Sequence, residues 1–472
     1  MLSLLCTTTE LRAAYATGEA TPQDALDAVL EQVAAVDPAI RAIAALDVDG
    51  ARQAARESGE RWAAGHPRSV LDGVPVTVKE SIAAAGMPLR HGVAANAALP
   101  NSTVDAPPTA RLREAGAVIV GTTTMPDMGM MASGTSSMWG ITRNPWDLSC
   151  SPGGSSAGAG AALAAGIGWG AVGSDIAGSV RLPAGQCGLV ALKPTQGRIP
   201  HLPSSTVRSA GPMARTVREA AELFTVLAGP DPRDELSLAP DPMISSALDA
   251  DLLPAIDLRE LRVGVLTDLG YGRRADAEVL AVVRRAADAL AAGGASVEAV
   301  EPPFDADPYP ALDRVFAVRA RTEYEGLEEG KRAEVRPELV AWSAQADAIS
   351  ATDLQRDLAQ VGAARDQIAI RLAPFDVVLA PVLPVVSFPA ERVGLDPTQP
   401  LGHCLYTCWF NQTGQPAAAF CGGTVRGMPV GVQVVGPRFA DRRVLAVTAA
   451  LEAARAEALA WPLHPTPAAK TV

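Results

Sequence analysis

Aromatic side chains make up only 4% of the 472 residues, and the chain has just six cysteines and five histidines. Six thiols scattered over this length (Cys6, Cys150, Cys187, Cys404, Cys408 and Cys421) are too few for a disulfide scaffold, so a reducing, cytoplasmic home is expected. The N-terminal MLSLLCTTTE lacks the basic region and cleavage site of a secretory leader. Positive charge is also scarce. A formal charge of -12, with no long Lys/Arg cluster, would repel a phosphate backbone, which argues against direct nucleic-acid binding. Leu148 to Ser174 carries no charge and is long enough to cross a bilayer. Its Gly, Ala and Ser content lacks the Leu, Ile, Val and Phe that insertion rewards, so no membrane span is expected.

What is present reads as a large α/β protein. Apolar residues reach 48% and charged ones 19%, with abundant Ala and Gly that suit close packing of helices on a sheet. Thr21-Pro22-Gln23-Asp24 supplies an N-cap, a first-turn proline and an acid three residues on, so residues 1–68 are expected to be mainly helical. Strands are expected at Val74 to Val78, Ala117 to Gly121, Arg262 to Leu266, Asp376 to Ala380 and Val430 to Val435. Helices are expected near Pro108 to Ala115, Asp276 to Ala292 and Asp441 to Ala458. That alternation predicts a mainly parallel sheet covered on both faces. Between residues 301 and 373 strand signals fade and charge rises, which predicts a helical insertion bordering a pocket.

Two motifs carry the chemistry. Ser151-Pro-Gly-Gly-Ser-Ser-Ala-Gly-Ala-Gly160 sets glycines and two serines before a run of small, helix-compatible residues. It is not a nucleotide loop, because GxxxxGK[ST] is absent. The string Gly154 to Gly158 fits GxSxG around Ser156, but no β-rich run leads into it as a hydrolase elbow requires. In Gly173-Ser-Asp-Ile-Ala-Gly-Ser-Val-Arg-Leu-Pro-Ala184, small residues around Ser179 allow a sharp turn. The backbone N–H groups of Ile176, Ala177, Gly178 and Ser179 could then point at one developing oxyanion. A serine needs a base, and none of His66, His91, His201, His403 and His464 falls in either motif. Lys79, isolated at the end of an apolar strand, could serve if burial kept it neutral. Asp175 and Arg181 read as a charged pair that holds the turn.

Lys79, the GGSS of Gly153 to Ser156 and the DIAGS of Asp175 to Ser179 together resemble the three signatures of the amidase signature family. Flanking segments are similar too, among them Thr142 to Asp147, Gly188 to Thr195, Gly211 to Thr216, Asn411 to Ala417 and Gly427 to Gln433, so the resemblance runs from about residue 70 to 440. Two departures stand out: Glu80 replaces the usual Asp after the lysine, and Ala177 replaces one of two glycines before the nucleophile.

The resemblance implies one large mixed β-sheet flanked by helices on both faces, in a single amidase signature domain spanning residues 1–472 with its signature core at 70–220. It further implies that Ser179 is the nucleophile, Ser155 the cis-peptide relay and Lys79 the base of a triad that forms an acyl-enzyme. Such a relay cleaves a small amide without metal or cofactor. His403, Cys404 and Cys408 lack the spaced fourth partner of a zinc site. Carbamate or ester hydrolysis by the same triad is the first alternative, and the ammonia-releasing component of a tRNA-dependent amidotransferase the second. The expected partner is a small-molecule substrate, and a homodimer and a monomer both stay open.

Overall fold

The computed structural model describes residues 2–244, 252–455 and 457–465. Along the chain the strands are β1 Ile43–Leu46, β2 Pro75–Lys79, β3 Val118–Thr123, β4 Thr135–Ser136, β5 Gly140–Ile141, β6 Gly170–Asp175 and β7 Val190–Lys193. They continue with β8 Ser209–Ala214, β9 Arg262–Val265, β10 Ser296–Ala299, β11 Val377–Pro381, β12 Ala417–Val425 and β13 Met428–Val435. Apart from the small β4–β5 hairpin, they form one eleven-stranded sheet ordered β1-β3-β2-β6-β8-β7-β12-β13-β11-β9-β10.

The sheet is mixed, as the family resemblance implies. It is not mainly parallel, which corrects the expectation from strand–helix alternation. Parallel pairing is confined to β3-β2-β6 and to β11-β9-β10, and the six other neighbouring pairs are antiparallel. The reason lies in strands without β-branched runs. β6 (GAVGSD), β8 (SAGPMA) and the first half of β12 are built from small residues, so local pattern hides them. Their neighbours leave room for little more: a Cβ on Gly173 would meet Ser156, and one on Gly211 would meet Val180 and the Leu192 carbonyl of the adjacent strand β7. The β12–β13 connection turns on Arg426 (φ 51°) and Gly427 (φ 75°), both left-handed as a tight hairpin requires.

Helices cover both faces. Ala157–Ala164 and Arg181–Cys187 pack on one another and on β6 and β13, while Val217–Leu227, Ala277–Ala292 and Asp441–Ala454 pack together against β8 and β12. At the N-terminus the Thr21 hydroxyl accepts from Asp24 N–H, and the Asp24 carboxylate accepts from Thr21 N–H, which starts Pro22–Ile40. The N-terminal segment is not wholly helical, because β1 pairs with β3 at the sheet edge. Residues 301–373 do form helices, chiefly Tyr309–Glu325 and Ala351–Leu372. The expected C-terminal helix ends at Ala454, and Ala456 lies outside the described residues, as does Met1. The uncharged stretch from Leu148 divides into a loop, the helix Ala157–Ala164 and β6. Among the described residues no helix is long and apolar enough to cross a membrane.

Helix Ala157–Ala164 is wholly buried, and Gly158 N–H donates to the Thr124 carbonyl at 3.0 Å. A methyl on Gly158 would collide with backbone atoms of Ala42 and Thr124, which cannot swing aside as a side chain could. Gly158→Ala is therefore expected to cost roughly 1–3 kcal/mol in urea unfolding despite alanine's better helix propensity. A variant as stable as the parent would contradict this packing.

Candidate active site

Strand β2 ends at Lys79 and delivers it to the point where the two serine motifs meet. Its Nζ lies 2.8 Å from Ser155 Oγ, 3.2 Å from Ser174 Oγ and 3.5 Å from the Ser174 carbonyl oxygen. Ser174 Oγ in turn lies 3.3 Å from Ser81 Oγ. Lys79 is 1% exposed, Ser155 3% and Ser179 5%, so all three are shut away from bulk water but not sealed. Burial pushes the Lys79 ammonium down to about 7; the Asp175 charge opposes this and the Arg208 charge adds to it. The amine is then substantially neutral near pH 7, with hydroxyl rather than carboxylate partners.

Glu80 does not spoil this. Strand alternation sends its carboxylate the other way, where it accepts from Arg90 N–H at 2.9 Å, Gly92 N–H at 3.5 Å and Trp139 Nε1–H at 2.5 Å. Burial raises its pKa to about 7 against those donors. The extra methylene relative to Asp is accommodated within this cage.

Ser155 follows the cis Gly154–Ser155 peptide, and Gly129 faces it so closely that an added Cβ would touch Ser155 Oγ. Ser156 N–H donates to the Ser179 carbonyl at 3.1 Å, tying the two motifs together. Ser156 precedes helix Ala157–Ala164 but makes no side-chain capping bond.

The turn before Ser179 is held by a buried network. Asp175 accepts from Gly178 N–H (2.8 Å), Val180 N–H (3.2 Å), Arg181 Nε (3.0 Å) and Nη2 (2.8 Å), and Asn411 Nδ2 (2.9 Å). Arg181 continues to the Thr407 carbonyl and to Gln433 Oε1 and Asn411 Oδ1. Burial disfavours the Asp175 carboxylate, but the Arg181 charge and hydrogen bonds outweigh it and hold the group well below the usual range. Gly178 has φ 127°, and a Cβ there would strike the Thr407 hydroxyl, so this glycine is obligatory. Ala177 has no positive φ, which explains why alanine serves in place of the family's second glycine.

Of the four N–H groups expected to face an oxyanion, Gly178 is already committed to Asp175. Those of Ile176, Ala177 and Ser179 meet no acceptor among the described residues. Ile176, Ala177 and Ser179 also line a narrow crevice closed by Met130, Met131 and Phe316. The loop residues Gly129 to Ala132 that also line it carry no chemistry in the sequence, and their only signal is the glycine at 129.

His91 and His201 are pushed down to about 4 and about 3, chiefly by burial and then by the charge of Arg208, so neither matches a base working near neutral pH. His403 points Nε2 at the Ala132 carbonyl, and burial raises the Cys404 and Cys408 thiols. No three metal-binding side chains converge among the described residues.

A family profile described as Amidase matches residues 24–445. The chain belongs to the amidase signature family. It is 34% identical to an acylamidase of Rhodococcus erythropolis, with 95% of each chain aligned. It is also 35% identical to a glutamyl-tRNA(Gln) amidotransferase subunit of Salinispora arenicola, over 94% of this chain and 96% of that one. Among solved structures, a bacterial aryl acylamidase of the amidase signature family superposes with a TM-score of 0.88 at 26% identity, covering 98% of this chain and 99% of its own. Hydrolysis of amide C–N bonds is thus the chemistry of this family.

Asp175 and Arg181 are both fully buried, 2.8 Å apart. Arg181→Met would strand the carboxylate without its cation and is expected to destabilise the protein by roughly 3–5 kcal/mol in chemical unfolding. Parent-like stability would show that the pair does not brace the turn.

Proposed function

We propose that the protein hydrolyses a small linear amide through an acyl-enzyme on Ser179. Ser179 Oγ attacks the carbonyl, its proton passes to Ser155 Oγ, and Ser155 passes its own to neutral Lys79. The N–H groups of Ile176, Ala177 and Ser179 receive the oxyanion, while Gly178 keeps its bond to Asp175 and so fixes the turn. The protonated Lys79 returns the proton along the same chain to the leaving amine. A water then repeats the sequence on the acyl group. The observation that carries this reading is the 2.8 Å contact between Lys79 Nζ and Ser155 Oγ, together with a lysine brought to about 7.

A carbamate or ester presents the same carbonyl and remains within reach of this machinery. The alternative of an ammonia-releasing component draws on the amidotransferase relatives, and it predicts glutamine-dependent ammonia release that rises when partner chains are supplied. A self-sufficient hydrolase needs no such partner. Six free thiols accord with a reducing cytoplasm.

Because the base must be neutral, kcat/KM should climb about tenfold per pH unit below pH 7 and level off above it, following Lys79. Ser179→Ala is expected to abolish labelling by a fluorophosphonate and nearly all turnover. Lys79→Arg, charged at every accessible pH, should retain less than about a tenth of the rate. An active Lys79→Arg enzyme would remove Lys79 from the mechanism. Ser155→Ala should fold normally yet lose several orders of magnitude in rate, and a near-parental rate would route the proton elsewhere.

A further inference from the structure

The crevice over Ser179 leaves ≈ 10 Å³, about the room of one water, so it can admit a reacting carbonyl but not the bulk of a substrate. A chamber of ≈ 330 Å³ adjoins it and shares two of its walls, Ile176 and Phe316. The helical segment between residues 301 and 373 builds most of this chamber. Leu312 and Val315 come from helix Tyr309–Glu325 and Val361 from helix Ala351–Leu372, making the walls apolar.

Its charged groups have one sign. Arg319 and Arg365 line the chamber, and no carboxylate does, in a chain whose net charge is -12. Arg319 bonds through Nε to Glu323 one turn along its own helix at 3.2 Å, and Arg365 through Nε to the adjacent Asp366 at 3.1 Å. The terminal nitrogens of both meet no acceptor among the described residues. A third guanidinium is close to Arg319. Arg208 follows Thr206 and Val207, which line the chamber, and its Nη2 donates to the Pro203 carbonyl at 3.0 Å. Its Nε is buried with no partner among the described residues. Burial first, and then the Arg319 charge, bring Arg208 down to about 10, so the two cations sense one another. Three guanidiniums thus face two carboxylates, and a planar pair of terminal nitrogens is left free at Arg319.

We propose that this chamber receives a substrate chain ending in a carboxylate: a linear amide whose carbonyl sits at Ser179 and whose apolar spacer runs between Phe316, Leu312 and Val361 to an anion on Arg319, with Arg365 and Arg208 adding charge. The spacer matches the apolar walls and the carboxylate supplies the missing acceptor. This rests on the assignment of Ser179 as nucleophile. The anion belongs either to the acyl side, as in a monoamide of a dicarboxylic acid, or to the amine side, as in an N-acyl ω-amino acid.

Two matched pairs separate these sources: adipic acid monoanilide against heptananilide, and N-butyryl-6-aminohexanoate against N-butyrylhexylamine. In one of the pairs the carboxylate should raise kcat/KM by about tenfold, mainly through KM, and added salt should erode that advantage because the arginines are partly exposed. Arg319→Gln should bring the ratio within the pair close to one, and Arg319→Lys should keep part of it. Protection of Ser179 from a fluorophosphonate by the same four compounds gives a second readout that does not depend on turnover. It should favour the same carboxylate and lose that preference in Arg319→Gln. Equal treatment of charged and neutral partners in both pairs, or a preference untouched by Arg319→Gln, would overturn the inference while Ser179-dependent cleavage left the amidase reading intact. Failure of the probe to label Ser179 at all would overturn the reading and this inference with it.

Discussion

Withdrawal of one ammonium group from water is the constraint on which the site depends. A lysine at its ordinary pKa of about 10.4 cannot accept a proton near neutrality, and desolvation is the largest influence that lowers it here. Burial alone would not suffice if a carboxylate came to pair with it. Two acids stand close by, and the fold disposes of each. Glu80 is turned to the opposite face of β2 and enclosed by three N–H donors, while Asp175 is saturated by Arg181, Asn411 and two backbone N–H groups. Arg181 thus has a second consequence beyond bracing the turn: it partners the carboxylate whose charge favours the Lys79 ammonium.

The same network sets the backbone around Ser179, the proposed nucleophile. Asp175 takes the N–H of Gly178, which holds the turn, and the N–H groups of Ile176, Ala177 and Ser179, residues that line the crevice, are left without an acceptor among the described residues. Thr407 closes the arrangement from the distal part of the chain by donating its hydroxyl to the Ala177 carbonyl at 2.5 Å. Residues 175 to 181 are therefore held by Thr407, Asn411 and Gln433, more than two hundred residues away. The distal segment resembling the family thus supplies Asn411 and Gln433 as partners of Asp175 and Arg181.

Much of this was legible in the sequence because the two serines proposed to react sit in dense local motifs and Lys79 ends a Val-rich strand. Lys79, Ser155 and Ser179 could be picked out, and the structure brings Lys79 against Ser155 and binds the Ser156 N–H to the Ser179 carbonyl. Strands rich in Val, such as β2, β11 and β13, were legible for the same local reason. The order of strands was not. Alternation of strand and helix suggested parallel pairing, whereas β8 and β12 are inserted antiparallel, and their small residues answer to layers packed above them rather than to strand propensity. The places of Ser174, Thr407, Met130 and Arg319 are not legible in the sequence, since each comes about only through contacts distant in sequence. The commitment of Gly178 N–H to Asp175 could not be seen from spacing, which places four amides together without saying where each points.

Lys79 can be observed directly, because the chain has only four lysines: Lys79, Lys193, Lys331 and Lys470. Lys193 is also buried, its Nζ donating to the Pro194 carbonyl, and burial followed by repulsion from Arg181 brings it to about 7 as well. Carbon-detected NMR of the lysine ε-positions, assigned with Lys79→Met and Lys193→Met, would follow each titration in the resting enzyme. The signal lost in Lys79→Met should titrate near pH 7 in the parent protein. A Lys79 that stays protonated to pH 10 would contradict the account, since no neutral base would then exist at the end of the serine relay.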